Sequence, residues 1–116
     1  MQFEHTEINQ YVIEFDRLQD IMKEYGFILA GQWDYERVTF DYKFTIDTDY
    51  YLRIQGEAIE GEIGSNDAIV KLRTPILGKH YYPHGVEYDE TFPDSLIERC
   101  NDLLQRVSKS LTALET

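Results

Sequence analysis

Cysteine is almost absent from this chain. Cys100 stands alone, so no disulfide can close within it. Its neighbours Leu96, Ile97, Leu103 and Leu104 mark it as a small buried hydrophobe on a helix, a poor setting for a nucleophile. Positive charge is scarce as well: 11 Lys and Arg stand against 22 Asp and Glu, a formal net charge of −11. Such a surface repels phosphates and anionic membranes at long range, so neither a nucleic acid nor a membrane is expected as partner. No apolar stretch approaches the roughly 18–20 residues of a membrane span. The opening Met1-Gln2-Phe3-Glu4-His5 lacks the basic start and apolar run of a secretory signal, and a cytoplasmic protein is the expectation. Catalytic motifs are missing too. No Gly-x-Ser-x-Gly elbow surrounds any serine. Gly61-Glu62-Ile63-Gly64 has neither the lysine nor the following Ser/Thr of a phosphate-binding loop, and there is no dinucleotide fingerprint. No catalytic residue and no cofactor is assigned.

What the chain does have is enough for one domain spanning residues 1–116. Tyrosine is over-represented, with nine residues; its ring suits half-buried sheets and interfaces alike. Residues 8–14 can form a first strand through Tyr11, Val12 and Ile13. Asp16 with Gln19 fits a capping box, and Phe15, Leu18, Ile21, Met22 and Tyr25 follow at helical spacing until Gly26 stops the helix. Four strand segments come next. Phe27–Asp34 leads into Tyr35–Ile46, where Val38, Phe40, Tyr42, Phe44 and Ile46 alternate with polar Arg37, Thr39, Asp41 and Lys43. After the turn Asp47-Thr48-Asp49, Tyr50–Glu60 repeats the pattern, and Ala68, Val70 and Leu72 carry it into a fourth strand.

Residues 75–93 are a long connection rich in Gly, Pro and aromatics, to be read as a hidden strand, an ordered strap or a functional loop. Ser95 and Glu98 then form a capping box for a helix to about Ala113. Its positions Ile97, Cys100, Leu104, Val107, Leu111 and Leu114 resemble a heptad seam, either packed on the chain's own sheet or pairing across a dimer. The expected fold is therefore α+β: an antiparallel meander of about four or five strands with two helices mainly on one face.

Two constellations stand out. His80 and His84 are the metal candidates, but Pro83 and Gly85 prevent the helix that would make an i, i+4 pair converge; no metal site is assigned. The polar strand positions carry Arg37, Lys43, Arg53, Lys71 and Arg73, whose forks could grip a carboxylate or phosphate. Interspersed Glu36, Asp41 and Glu57 offer cross-strand ion pairs as the structural explanation of the same row. Trp33, Tyr35, Tyr50, Tyr51, Tyr81, Tyr82 and Tyr88 can line an aromatic pocket or serve as core and interface.

The strings Gly31-Gln32-Trp33-Asp34-Tyr35-Glu36, Tyr51-Leu52-Arg53-Ile54-Gln55-Gly56 and, above all, Leu77-Gly78-Lys79-His80-Tyr81-Tyr82-Pro83-His84-Gly85-Val86-Glu87-Tyr88 resemble the YugN-like family of small proteins from Bacillus-type bacteria, over nearly the whole chain. The resemblance implies a single-domain cytoplasmic α+β protein and brings no activity, cofactor or catalytic residue with it. The functional expectation thus rests on the residues. It is a non-enzymatic domain, as a homodimer, binding a protein partner or small anionic ligand through a Tyr/Arg-rich sheet face and the 78–88 loop. Arg53 and Arg73, joined by Arg37, Lys79 and His80, would hold the anion, with Tyr82 and His84 bounding its other side. The alternatives are an enzyme using His80 or His84 as general base, and an assembly protein dimerising through the C-terminal helix.

Overall fold

The computed structural model describes residues 1–31, 34–65 and 67–114. A 3-10 turn at Glu4–Thr6 and another at Ile8–Gln10 precede a short strand β1 (Val12–Glu14) and helix α1 (Phe15–Glu24). Strands β2 (Ile28–Ala30), β3 (Arg37–Thr45), β4 (Asp49–Glu60), β5 (Ile69–Leu72), β6 (Ile76–His80) and β7 (Val86–Glu87) follow, and helix α2 (Asp94–Leu114) closes the fold. All strand pairs are antiparallel.

The period-two segments become β3 and β4, which pair over their length from Arg37↔Glu57 to Thr45↔Asp49. Their even positions Val38, Phe40, Phe44, Leu52 and Ile54 are buried, as are Val70, Leu72 and Leu77 on the neighbouring strands. Helices α1 and α2 cover that face. Phe15, Leu18, Ile21 and Met22 from the first, and Leu96, Cys100, Leu104, Val107 and Leu111 from the second, join the same core. Full burial of each such side chain contributes about 1.5–3 kcal/mol. The heptad-like seam is therefore filled by the chain's own sheet: Cys100, Leu104 and Val107 are wholly buried.

The sheet has seven strands, more than the four or five expected, because the connection 75–93 hides two of them. β5 and β6 both lie along the same edge of β4, with Gly56↔Leu72 at one end and Leu52↔Leu77 at the other. They are one strand interrupted at Arg73-Thr74-Pro75, where proline has no N–H for a ladder. On the far side of β6 the chain start pairs through Gln2↔Ile76, and β7 pairs through Lys79↔Glu87.

Both helix starts differ from the capping boxes read in the sequence. Phe15 N–H donates to the Ala68 carbonyl at 2.9 Å, so the chain passes from sheet to helix one residue before Asp16, and Glu14 occupies the cap without a side-chain bond. In α2 the Pro93 carbonyl accepts from Leu96 and Ile97, which places Ser95 inside the first turn. The stop at Gly26 does follow expectation. Its φ of +84° is left-handed, and Phe27 N–H reaches back to the Met22 carbonyl at 2.8 Å. No helix among the described residues is long and apolar enough to cross a membrane.

Candidate functional site

Alternation sends the odd positions of β3 and β4 to the face opposite the helices, and the register aligns them in rows. Ile28, Asp41, Arg53 and Ile76 form one row across four strands. Lys43, Tyr51 and Gly78 form the next, while Arg37, Glu57 and Lys71 form a row toward the other end.

At the centre Arg53 grips Asp41 through two parallel bonds, Nε to Oδ1 at 2.7 Å and Nη2 to Oδ2 at 2.9 Å. Its Nη1 donates to the Tyr88 hydroxyl at 2.6 Å. The bond to Asp41 raises the guanidinium above its ordinary value against the opposing pull of desolvation. Tyr88 reaches this position because Gly78 lies beneath it: a Cβ on Gly78 would stand 2.8 Å from Tyr88 Cε1 and collide with the Val86 side chain. Among the described residues no buried side-chain nitrogen or oxygen lacks a hydrogen-bond partner.

Beside this network, the β6–β7 hairpin carries a series of edge-on rings. The His80 centroid lies 6.0 Å from that of Tyr51 and 5.2 Å from that of Tyr82. Tyr82, followed by a cis bond to Pro83, is 89% exposed. Tyr81 N–H donates to the Gly85 carbonyl at 3.2 Å and closes the loop. His84 stands exposed at the tip, outside every hydrogen bond and ring contact among the described residues.

The residues expected to form an anion clamp are thus divided. Arg53 is committed to Asp41 and Tyr88. Arg73 Nη1 pairs with Glu57 Oε1 at 3.2 Å, on exposed side chains, and Lys43 Nζ pairs with Asp49 Oδ2 at 3.5 Å. The structural explanation of the row, cross-strand ion pairing, holds for three of its five cations. Arg37 lies opposite Glu57 and lines a groove of about 650 Å³ with Glu36 and Glu62, away from Arg53. Lys79, paired with the inward-facing Tyr50, sits on the other side of the hairpin, its Nζ 5.1 Å from the Tyr81 ring centroid. The nearby Glu90 carboxylate raises the Tyr81 phenol above its ordinary value. His80 and Tyr82 are brought together; His84 does not join them. Of the aromatic-pocket residues, Trp33 lies outside the described residues, and Tyr50 is buried against Phe92, ring centroids 6.1 Å apart.

No group of three His, Cys, Asp or Glu side chains among the described residues could hold a metal ion. Sequence reading missed Asp41 and Tyr88 as organisers of the face. Asp41 was legible only as one of several acids among the cations, since pairing it to Arg53 requires the register.

Three comparisons fix the family. The YugN-like family model matches residues 4–109. The uncharacterized protein YlbA of Bacillus subtilis (strain 168) is 47% identical over 118 aligned positions, covering 99% of this chain and 98% of that protein. The uncharacterized protein YugN of the same organism is 31% identical over 71 positions, 60% of this chain and 53% of its own. In structure, the crystal structure of the uncharacterized conserved protein YugN from Geobacillus kaustophilus HTA426 superposes with a TM-score of 0.89 at 48% identity, over 99% of this chain and 97% of that one. With the loop string, the fold and the family model in agreement, this chain belongs to the YugN-like family.

Proposed function

We propose that this chain is a non-enzymatic, cytoplasmic binding domain that recognises a protein partner through the open sheet face and the 78–88 hairpin. The observation that carries this reading is Tyr82, 89% exposed while its neighbour His80 packs edge-on against Tyr51. An exposed tyrosine on a braced support offers a large contact area at low entropic cost, the property of interface anchors. Tyr81, 37% exposed, and His84 extend the same tip. A small anion held by Arg53 is disfavoured, because that guanidinium would first have to leave Asp41. General-base chemistry at His84 has little to support it, since no group among the described residues orients the ring.

The test is photo-crosslinking in the source cells with a reactive analogue at position 82 and a control at exposed Glu24. A protein joined at 82, absent at 24, and retained at least tenfold less by Tyr81→Ala/His84→Ala fits the reading. Equal capture at both positions sinks it.

A homodimer is the second reading, favoured by β2, the last strand in the sheet order, where Ile28 is 70% and Leu29 44% exposed beside a backbone edge unpaired among the described residues. Light scattering of the parent and of Ile28→Lys decides it: a dimer that the substitution splits supports edge pairing, and a monomeric parent ends it.

A further inference from the structure

β2 covers only part of β3. It pairs with Thr39, Phe40 and Asp41, whereas β3 runs on to Thr45. The Glu36 carbonyl accepts from Ala58 N–H at 2.8 Å, and Ile46 N–H donates to the Thr48 carbonyl at 3.1 Å. The register is continuous between those two bonds, so the even residues of β3 exchange backbone bonds with β4 and the odd ones turn away. Thr39 and Asp41 thereby meet β2. The backbone N–H and C=O of Lys43 and Thr45 face the same way and have no partner among the described residues.

On the helix side of this open stretch, Tyr42 and Phe44 bound a groove of about 240 Å³ with Arg99, Asp102, Leu103 and Arg106 of α2. Arg99 lies over Phe44, its Cζ 4.9 Å from the ring centroid. Arg106 stands two turns further along the same face of α2, and both arginines are exposed. Asp102 lies between them, yet neither forms an ion pair among the described residues. Two unpaired arginines, in a chain with twice as many acids as bases, make this groove a complement to negative charge.

We propose that the edge at Lys43 and Thr45 takes an extended acidic segment of a partner protein as an added strand, its carboxylates directed at Arg99 and Arg106. Segment residues opposite Lys43 and Thr45 make the backbone bonds, and those between and beyond them turn to the helix side. Acids at the outer two of these positions stand roughly 13 Å apart. An apolar residue between them faces the half-buried Tyr42 and Leu103. The site lies apart from the hairpin surface and does not depend on the reading given for it.

Amide NMR titration of the intact chain with the capped peptide Ac-Glu-Thr-Val-Thr-Glu-NH2, up to about 10 mM, tests the proposal. Saturable shifts are expected at Lys43, Thr45 and Arg106, weakened about tenfold by Arg106→Gln and strengthened by Asp102→Asn. Both positions are exposed, so both variants keep the fold, checked by their amide spectra. A peptide with lysine for both glutamates, or with both threonine nitrogens methylated, should not bind. Equal binding of the lysine peptide would overturn recognition of charge, and equal binding of the methylated one would overturn strand addition. Shifts at Lys43 and Thr45 that follow protein concentration alone would give the edge to a second copy and overturn the partner segment. Absence of saturable shifts would overturn the site itself.

Discussion

Asp41 and Arg53 face each other across β3 and β4 in a two-point contact of 2.7 and 2.9 Å, and the arginine's remaining terminal nitrogen bonds Tyr88. The side chains are only 11% and 23% exposed, so either one left alone is a poorly solvated charge. Asp41→Ala should lower the unfolding free energy by about 2–3 kcal/mol in urea. Asp41→Leu with Arg53→Met should cost less than the sum of the single changes, by about 0.5–3 kcal/mol. Strict additivity would show that the pair is not coupled.

Gly78 admits Tyr88 to that network, so its side chain has to stay absent. Gly78→Ala should destabilise by about 1–3 kcal/mol through overpacking against Val86 and Tyr88. Tyr88→Phe should remove only about 1 kcal/mol, the hydrogen bond to Arg53. Gly78→Ala melting with the parent would mean the ring does not lie over the glycine.

Burial pushes the Cys100 thiol from 9.0 up to about 12. The folded chain keeps the proton that the unfolded chain releases, so this contribution is complete below pH 9.0 and is lost as pH rises toward 12. The native thiol should resist Ellman's reagent at pH 8 and react on unfolding. Cys100→Ala should make alkaline loss of stability shallower, by up to about 1.4 kcal/mol per pH unit. Rapid labelling of the native chain would contradict the burial.

Leu104→Asp puts a carboxylate at a wholly buried position beneath both helices and sheet. Far-UV circular dichroism should report loss of the fold, because a charge without a partner in the core costs several kcal/mol, on the order of 3–5. A folded monomer derived from a dimeric parent would instead restore the coiled-coil reading of α2.

The two long alternating strands and both helices were legible in the sequence because each repeats a period over ten or so residues. Val38, Phe40, Leu52 and Ile54 declare their face individually. β6 does not: Ile76-Leu77-Gly78-Lys79-His80 follows a proline, contains a glycine and shows no clean alternation, and only its place along β4 makes it a strand. Two-residue β7 is too short for any pattern. The polar face was legible as a composition, Arg and Tyr with scattered acids. Which acid meets which base was not, because a shift of one residue between β3 and β4 would re-pair every row.

β4 is held along both margins, by β3 on one side and by the interrupted β5–β6 strand on the other. Tyr51, Arg53, Gln55 and Glu57 consequently stand at fixed intervals on a backbone whose freedom was already lost in folding. A molecule that docks on this face meets a surface with little left to order, so complementarity of shape is rewarded and mismatch cannot be relieved by adjustment of the sheet.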